Sequence, residues 1–524
     1  MMNSTLSFPD LIVFGCYILG IIVFGYFVSR KKTNTKREYF LAGDKMSWWM
    51  IGGSIIAANL SSHQLVGVMG VAYSRGFAAI VIEWGAILIG FNALLWIFLP
   101  FYLRNGFYTM PEYLQRRFGG AARTTYSALV LLTYIFVEIS AVLYLGALTL
   151  QSLLGIPMAV SIVALATITG LYTITGGLKA VVWTEIIQLG ILIAGMAALC
   201  MAAIHAGGGM NAILETTAGW EMLLPASDPD FPWTMYLGGL LCISIFYNAT
   251  NQFIVQRTLA AKNEWHARMG IVFAAYLKFF IPLLIVIPAL LAPKLISEPV
   301  KPDLVFATLV ERLLPAGLVG LVMAGLLAAV MSHLSGAINS CTTILTIDVY
   351  LPYINPQASE KQSVRFGKWA GVTIVMLGIG CTALLFLYSE KPIFLYLMNA
   401  YGLFTPGIAT MFLMGIFWKR ATHAGALSAG LLTIPLSLLL EFIYPNMPFF
   451  NRTGIVFWIC LFVCFVVSLL TKPQPEASLN GLIWNVKSLS LPGHLVPEYR
   501  RLKNPVVWWA IVTAVVLFFF VRYA

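Results

Sequence analysis

Residues 453–470 read TGIVFWICLFVCFVVSLL and contain no charged side chain. A helix needs about 20 mainly apolar residues to cross roughly 30 Å of hydrocarbon. This stretch therefore predicts a transmembrane α-helix. Strands of a membrane barrel would instead show alternating segments of about 10 residues, and the uninterrupted run excludes that architecture.

The same pattern recurs along the whole chain. Hydrophobic residues make up 60% and charged residues 10% of the 524 positions, against roughly 45–50% and 25% in soluble domains. We therefore predict an all-α polytopic membrane protein and exclude a water-soluble globule. The fourteen predicted spans are 8–28, 48–72, 78–103, 124–152, 157–175, 181–205, 234–256, 267–292, 313–348, 366–388, 393–417, 424–444, 453–470 and 505–522.

The basic residues lie mostly in alternate connections between these spans. The connection 30–45 holds six of them, and the positive-inside rule places such a loop in the cytoplasm. That orientation assigns 24 of the 32 Lys and Arg residues to the cytoplasm and seven to the other side, with Lys278 inside a span. The net charge of +11 thus reflects membrane topology and gives no indication of nucleic-acid binding. Both termini are predicted to be extracytoplasmic, in a plasma or bacterial inner membrane.

Two spans contain a polar cluster that is unfavourable for a continuous helix. They are IAANLSSHQLVG (56–67) and IFYNATNQFIVQR (245–257). Transporters often interrupt helices at the midplane, where free backbone groups bind ions and substrate. Alternatively, such residues only join helices by hydrogen bonds. The two clusters lie five spans apart, as an inverted repeat of five helices requires, and this favours a central binding site.

Ionisable residues within spans are candidates for function because they are costly in hydrocarbon. They are His63, Glu83, Glu138, Glu185, Lys278 and His333, with Asp348 and Glu441 nearer span ends. For each one the alternative is a structural pair or a side chain reaching to water. The glycine-containing stretch 173–188 predicts a tight turn between two spans. Walker, HExxH and GxSxG motifs are absent, so ATP-driven pumping and hydrolase chemistry have no support.

At these residues the chain resembles the solute:sodium symporter family, within it the sodium/sugar cotransporter branch. The resemblance rests on IAANLSSHQ, GGLKAVVWTEIIQ, NQFIVQRTLAAK, GIVFAAYLK and INSCTTILTIDVY. It implies discontinuous helices at the midplane and a five-plus-five inverted-repeat core formed by spans two to eleven. The core would occupy residues 48–417, after an extra helix and first cytoplasmic loop (1–47). Further helices would follow in 418–524, which include a cytoplasmic loop, 471–504.

The resemblance also implies a sugar site. Its retained polar residues would be Asn59, Gln64, Glu83 and Lys278, and its matching aromatics Tyr134, Tyr247 and Phe394. Carboxylate, ammonium and amide groups suit the hydroxyls of a polyol, and an aromatic face covers the apolar side of a sugar ring. Other positions depart from the bacterial sugar-transporting pattern. Glu138 and Ser244 stand where that pattern has Asn, Asn248 where it has Trp, Met398 where it has Gln, and Ala86 where it has Ser. Glu138 could pair with Lys278, bind an amino group or bond further hydroxyls.

The sodium site implied by the resemblance contains one unusual residue. Its positions are Ala57, Leu60, Ala329, Ser332 and His333, with Glu185 replacing an Asp on the inner cation route. Sodium prefers oxygen ligands, and the family has Ser or Thr where His333 stands. Either His333 turns away and the hydroxyls of Ser332 and Ser335 serve sodium, or the imidazole carries a proton and coupling becomes proton-driven or is lost.

These observations predict a symporter and not an enzyme. The expected solute is a small neutral sugar or polyol, driven most simply by sodium, with no cofactor. A proton-coupled or uncoupled carrier is the first alternative, and a membrane solute receptor the second. The partners implied are the solute, sodium and the bilayer, with neither nucleic acid nor an obligate protein partner.

Overall fold

The computed structural model describes residues 7–29, 35–215, 220–388, 393–489 and 503–524. Within these ranges the secondary structure is helical, and the only β-type pairings are two isolated bridges. The predicted all-α class is confirmed. The α-helices are α1 (Phe8–Ser29), α2 (Lys36–Leu41), α3 (Trp48–Asn59), α4 (Met69–Arg75), α5 (Val81–Ala86), α6 (Leu99–Asn105), α7 (Met110–Phe118), α8 (Gly120–Leu132), α9 (Ser140–Leu154), α10 (Met158–Ala206), α11 (Met210–Glu215), α12 (Gly239–Ile245), α13 (Gln252–Leu259), α14 (Glu264–Leu295), α15 (Val305–Leu313), α16 (Leu318–Ile344), α17 (Glu360–Tyr388), α18 (Ile393–Phe417), α19 (His423–Ile443), α20 (Phe449–Leu470) and α21 (Pro505–Arg522).

Wider π-helical turns join several of these helices. They span His63–Val68, Ile87–Phe91, Ala93–Phe98, Thr133–Ile139, Phe246–Thr250 and Leu345–Ile354. Short 3-10 turns occupy Ala42–Asp44, Gly76–Ile80, Trp233–Leu237, Pro302–Leu304, Glu476–Leu479 and Val486–Leu489. π-Turns often mark functional sites in helices, and two of these lie beside the helix breaks described below.

Eleven helices of the described chain are long and apolar enough to cross a membrane. Two of them, Gln64–Asn105 with 42 residues and Met158–Ala206 with 49, are about twice the length one crossing needs. Each contains a glycine with positive φ, Gly76 and Gly177 respectively. The interrupted helices α3 and α12–α13 are too short to be included. The number of fourteen crossings stays a prediction.

Both polar clusters interrupt a helix as predicted. Helix α3 ends at Asn59, and Leu60 is extended with φ −80° and ψ 114°. In the second cluster Asn251 is extended with φ −83° and ψ 124°, and its side chain caps α13 by accepting from the Phe253 amide. The backbone therefore leaves the helix in almost the same conformation at both places. The last carbonyl groups of a helix have no N–H partner within that helix, because no further helical turn follows them.

Two close approaches of glycines position the elements around these breaks. A Cβ on Gly52 would lie 2.5 Å from the Gly270 carbonyl oxygen, so α3 and α14 pack backbone against backbone, as small residues allow in membrane proteins. Gly177 adopts φ 60° and ψ −160° within the predicted turn, a conformation that favours glycine. The turn is thereby confirmed, as a sharp bend between the two halves of α10.

Candidate functional site

A cavity of about 780 Å³, including the part that opens to solvent, lies between the two interrupted helices. Asn59 and Gln64 reach it from the first break, and Tyr247 and Asn248 from the second. The remaining lining residues are Val68, Val71, Ala79, Ile82, Glu83, Ala86, Phe231, Leu240, Ile243, Ser244, Lys278, Tyr401 and Phe450.

One wall of the cavity carries a compact polar network. The Lys278 Nζ atom lies 2.5 Å from Glu83 Oε2 and 2.9 Å from Asn59 Oδ1. Gln64 Nε2 donates to the same Asn59 oxygen at 3.2 Å and to Glu83 Oε1 at 3.0 Å. The structure thus brings together all four polar residues that the sequence grouped. Because the lysine and the glutamate are both about 5–6% exposed, each charge depends on the other for compensation.

Three buried polar atoms along this cavity have no hydrogen-bond partner among the described residues. They are Asn59 Nδ2, Gln64 Oε1 and Asn248 Oδ1. Buried polar atoms are nearly always paired in native proteins. One donor and two acceptors therefore remain available for a polar ligand in the cavity.

Aromatic rings also line the cavity. The Tyr247 and Tyr401 rings meet edge to face with centroids 6.0 Å apart, and Phe231 and Phe450 lie 6.2 Å apart. Sequence reasoning identified Tyr247 but missed the other three. At 13% aromatic content, an aromatic residue in a span or loop gives no local signal of a pocket.

Phe231 belongs to a segment that we call the phenylalanine loop, residues 220–237. Arg75, at the end of α4, pairs with Asp228 at 3.2 Å and with Asp230 at 2.8 Å. Asp228 in turn accepts hydrogen bonds from the backbone amides of Asp230 and Phe231. These two ion pairs therefore tie helix α4 to the loop that carries Phe231, one of the residues that line the cavity.

Glu138 and Tyr134 do not line the cavity, unlike the expectation from the resemblance. The Tyr134 hydroxyl donates to Asn251 Oδ1 at the second break. Glu138 Oε2 lies 2.6 Å from His333 Nε2, and its other oxygen accepts from the Tyr401 hydroxyl. Of the three roles considered for Glu138, pairing with Lys278 is not observed: Lys278 pairs with Glu83, and Glu138 with His333.

The imidazole of His333 contacts the backbone at the first break. Its Nδ1 atom lies 2.8 Å from the Ala58 carbonyl oxygen. That oxygen only accepts, so Nδ1 carries the hydrogen. Both ring nitrogens are thus engaged by protein groups, and neither is left to ligate a cation in this arrangement.

The other predicted sodium residues lie around the same break. Ala57 and Leu60 are at the open end of α3, and Ala329 and Ser332 are on α16. Ser332 Oγ is buried without a partner among the described residues, whereas Ser335 Oγ donates to the Ser332 carbonyl at 2.8 Å. Oxygen atoms of this kind fit a sodium ion.

Glu185 lies fully buried in an ion pair. It accepts from Arg257 and from the Ser54 hydroxyl, and Arg257 Nε donates to the same hydroxyl at 2.8 Å. Its charge is therefore compensated within the protein, and its place on a cation route stays a prediction. The side chains of Phe394, Met398 and His63 lie outside the described residues.

The model of the sodium:solute symporter family matches residues 39–433. The chain is 38% identical to a sodium/glucose cotransporter of Vibrio parahaemolyticus, over 85% of this chain and 88% of that protein. It is 32% identical to the human sodium/myo-inositol cotransporter, over 96% and 79% respectively. Rabbit sodium/glucose cotransporter 1 is 33% identical over 91% and 81%.

Solved structures resemble the fold. A Na⁺-coupled sialic acid symporter in a substrate-bound, outward-open state superposes with a TM-score of 0.82 at 23% identity, covering 90% of this chain and 99% of that one. A transporter of the nucleobase-cation-symport-1 family in a closed conformation gives a TM-score of 0.54 at 13% identity, over 86% and 99%. At such identities the likeness concerns the fold alone. The relatives and structures named here are all transporters, and the four whose coupling ion is named are sodium-coupled.

Proposed function

This chain belongs to the sodium:solute symporter family, and we propose that the solute it carries with sodium is a small neutral sugar or polyol. As a family member it is an integral membrane transporter and not an enzyme, and it performs sodium-coupled symport. The identity of the solute and the residues that bind it form the proposal.

The observation that carries this proposal is the polar network of Lys278, Glu83, Asn59 and Gln64 inside the cavity. The lysine and glutamate charges cancel, so the site favours a solute without net charge over an ion, which would need a counter-charge. Carboxylate oxygens accept from hydroxyl groups and the ammonium donates to them. A vicinal diol meets both requirements with neighbouring oxygens.

The aromatic side of the cavity supports the same solute class. Rings such as Tyr247 and Tyr401 can cover the apolar C–H faces of a solute, while its hydroxyls bond the polar network. The relatives are named for glucose and for myo-inositol, a sugar and a cyclic polyol. We place Phe394 and Met398 in the same site on the resemblance alone.

For sodium we propose a site at the open end of α3. The carbonyl oxygens of Ala57, Leu60 and Ala329 and the hydroxyl of Ser332 would hold the ion. His333 then stands beside the site and ligates nothing, because both its nitrogens are engaged. Bound sodium raises solute affinity, and by linkage the solute tightens sodium binding by the same factor.

We further propose fourteen crossings, with an inverted-repeat core at 48–417 between the segments 1–47 and 418–524. The matching conformations of Leu60 and Asn251 support two equivalent broken helices, one in each repeat. Alternating access would then proceed around the cavity between them. Both termini lie outside the cytoplasm in this topology, and the membrane is the plasma membrane.

Uptake into proteoliposomes tests the function. The full chain is supplied with radiolabelled glucose, galactose, myo-inositol and mannitol under an inward sodium gradient, an inward proton gradient, or neither. We expect accumulation of one or more of these solutes with sodium only, and no accumulation by Lys278→Ala. Accumulation driven only by protons, or equilibration without any gradient, would overturn sodium coupling; uptake of none of the panel would overturn the solute class.

A further inference from the structure

The proposed sodium site and the solute cavity are joined by an unbroken series of buried contacts. His333 Nδ1 bonds the Ala58 carbonyl at 2.8 Å, and Nε2 lies 2.6 Å from Glu138. The other oxygen of Glu138 accepts from the Tyr401 hydroxyl. The Tyr401 ring then meets the Tyr247 ring at the cavity wall. Each side chain of the series is buried, with His333 at 0%, Glu138 at 2% and Tyr401 at 4% exposure.

We propose that Glu138, His333 and Tyr401 form a coupling relay, which transmits sodium binding to the aromatic wall of the cavity. This inference rests on the proposed function. The three are positioning residues: none of them ligates sodium in this arrangement, and only the ring of Tyr401 borders the solute.

The starting point of the relay is well placed to sense sodium. Ala58 lies between Ala57 and Leu60, two of the proposed ligands, in the last turn of α3. An ion that draws those carbonyls together shifts the backbone that carries the Ala58 oxygen. The imidazole follows because its hydrogen bond is fully buried, and breaking such a bond costs about 1–3 kcal/mol.

The far end of the relay lies at the solute cavity, which Tyr401 lines. Tyr401 lies on α18, while His333 is on α16 and Glu138 on the π-turn 133–139. Three separate elements are thus tied to the broken helix through one carboxylate. Coupling between two sites requires an element with two arrangements whose equilibrium both sites shift. In this proposal that element is the aromatic wall of the cavity.

Removal of one oxygen atom tests the relay. Tyr401→Phe keeps the ring at the cavity wall and deletes only the hydroxyl that Glu138 accepts from. The measured quantity is the coupling factor, the ratio of the solute dissociation constants without and with sodium, for the better-bound of labelled glucose and myo-inositol. We expect a coupling factor of roughly ten or more in the wild type and of less than about three in Tyr401→Phe. Binding of ²²Na⁺ alone should stay within about twofold, because its ligands are intact.

Tyr39→Phe is the matched control. Tyr39 is also buried and its hydroxyl donates to a carbonyl, that of Ile174 at 2.8 Å, away from the relay. The control should retain the wild-type coupling factor. If both variants lost coupling, the loss would be a general result of removing a buried hydroxyl, and it would not support the relay.

A second break in the middle of the series provides an independent test. His333→Asn can still donate to Ala58 but no longer reaches Glu138. If the relay acts as a unit, His333→Asn and Tyr401→Phe each lower the coupling factor, and the double variant lowers it no further than either one. Additive losses would indicate separate structural roles and overturn the proposal.

A reporter that needs no solute separates failure of the relay from failure of the proposed function. Ile243 lines the cavity, and Ile243→Cys places a thiol there whose rate of labelling is measured. The chain without this substitution gives the background labelling of the native cysteines. Sodium should change this rate in the reporter chain and leave it unchanged when Tyr401→Phe is added. A rate change that persists with Tyr401→Phe refutes the relay, even where none of the solutes binds.

Discussion

The ion pair at the cavity wall provides the sharpest prediction. Glu83→Gln keeps the shape of the side chain and removes its charge, leaving the Lys278 ammonium 2.5 Å from a neutral amide. Lys278 is about 5% exposed, so water replaces little of the lost attraction. The variant therefore separates the charge of Glu83 from its volume.

The magnitude follows from the geometry. Two unit charges 2.5 Å apart attract by about 7 kcal/mol at an effective dielectric constant of about 20. The glutamine oxygen still accepts from Lys278 and recovers part of this, so we expect about 3–5 kcal/mol of destabilisation, as for other broken buried pairs. Loss of one charged acceptor for a solute hydroxyl weakens binding by about 1.5–3 kcal/mol, or roughly 10- to 150-fold.

The assay combines thermal unfolding in detergent with equilibrium binding of labelled glucose and myo-inositol at saturating sodium. Glu83→Gln should lower the unfolding midpoint and weaken binding together. The double variant Glu83→Gln with Lys278→Met removes both charges, so the midpoint should return towards the wild-type value while binding stays lost. That divergence distinguishes a binding role from a structural one.

Unchanged affinity in Glu83→Gln would refute the assignment of this carboxylate to the solute. Recovery of binding in the double variant would mean that the pair only holds the helices together. An unchanged midpoint in the single variant would show that water screens the pair far more than its burial implies.

Three further predictions concern other parts of the chain. Ser332→Ala should lower ²²Na⁺ affinity by roughly tenfold or more because a buried oxygen ligand is lost. Ser340→Ala removes another α16 hydroxyl that has no partner among the described residues, and it should leave this affinity unchanged. Gly177→Ala places a side chain at φ 60° and should lower the unfolding midpoint, with a cost of about 1–3 kcal/mol. The added methyl of Gly190→Ala meets no atom of the described residues within 4 Å, so this variant should keep the wild-type midpoint. Arg75→Ala should speed hydrogen exchange in the phenylalanine loop up to about thirtyfold, since its two partly exposed ion pairs contribute about 0–1 kcal/mol each.

Contrary results have defined meanings. Equal sodium affinity in both serine variants would remove Ser332 from the proposed site. An unfolding midpoint unaffected by Gly177→Ala would show that the bend of α10 tolerates a side chain. Unchanged exchange after Arg75→Ala would mean that backbone contacts alone hold the phenylalanine loop.

Much of the architecture was accessible from the sequence because its signals are local. Apolar runs of about 20 residues predict crossings from length alone. Polar clusters at 56–67 and 245–257 predict the two breaks, since Ser, Asn and Thr favour non-helical backbone over helix interiors. The glycines of 173–188 predict the bend for a similar local reason.

The polar half of the cavity was also identified from the sequence, through the resemblance together with the cost of charges in hydrocarbon. Asn59, Gln64, Glu83 and Lys278 converge as expected. The aromatic half was largely missed. Phe231 and Phe450 come from a loop and from the start of α20, and nothing in their neighbours distinguishes them from other aromatics.

The sequence by itself determined that this chain crosses a membrane, where its helices break and which charges need partners, because hydropathy and backbone propensity act over a few neighbouring residues. Only the tertiary structure decided which residues pair with those charges. Glu138 bonds residues 195 and 263 positions away, His333 and Tyr401, and not the lysine that the sequence offered. A buried charge takes the partner that packing brings within about 3 Å, and packing is a property of the whole fold.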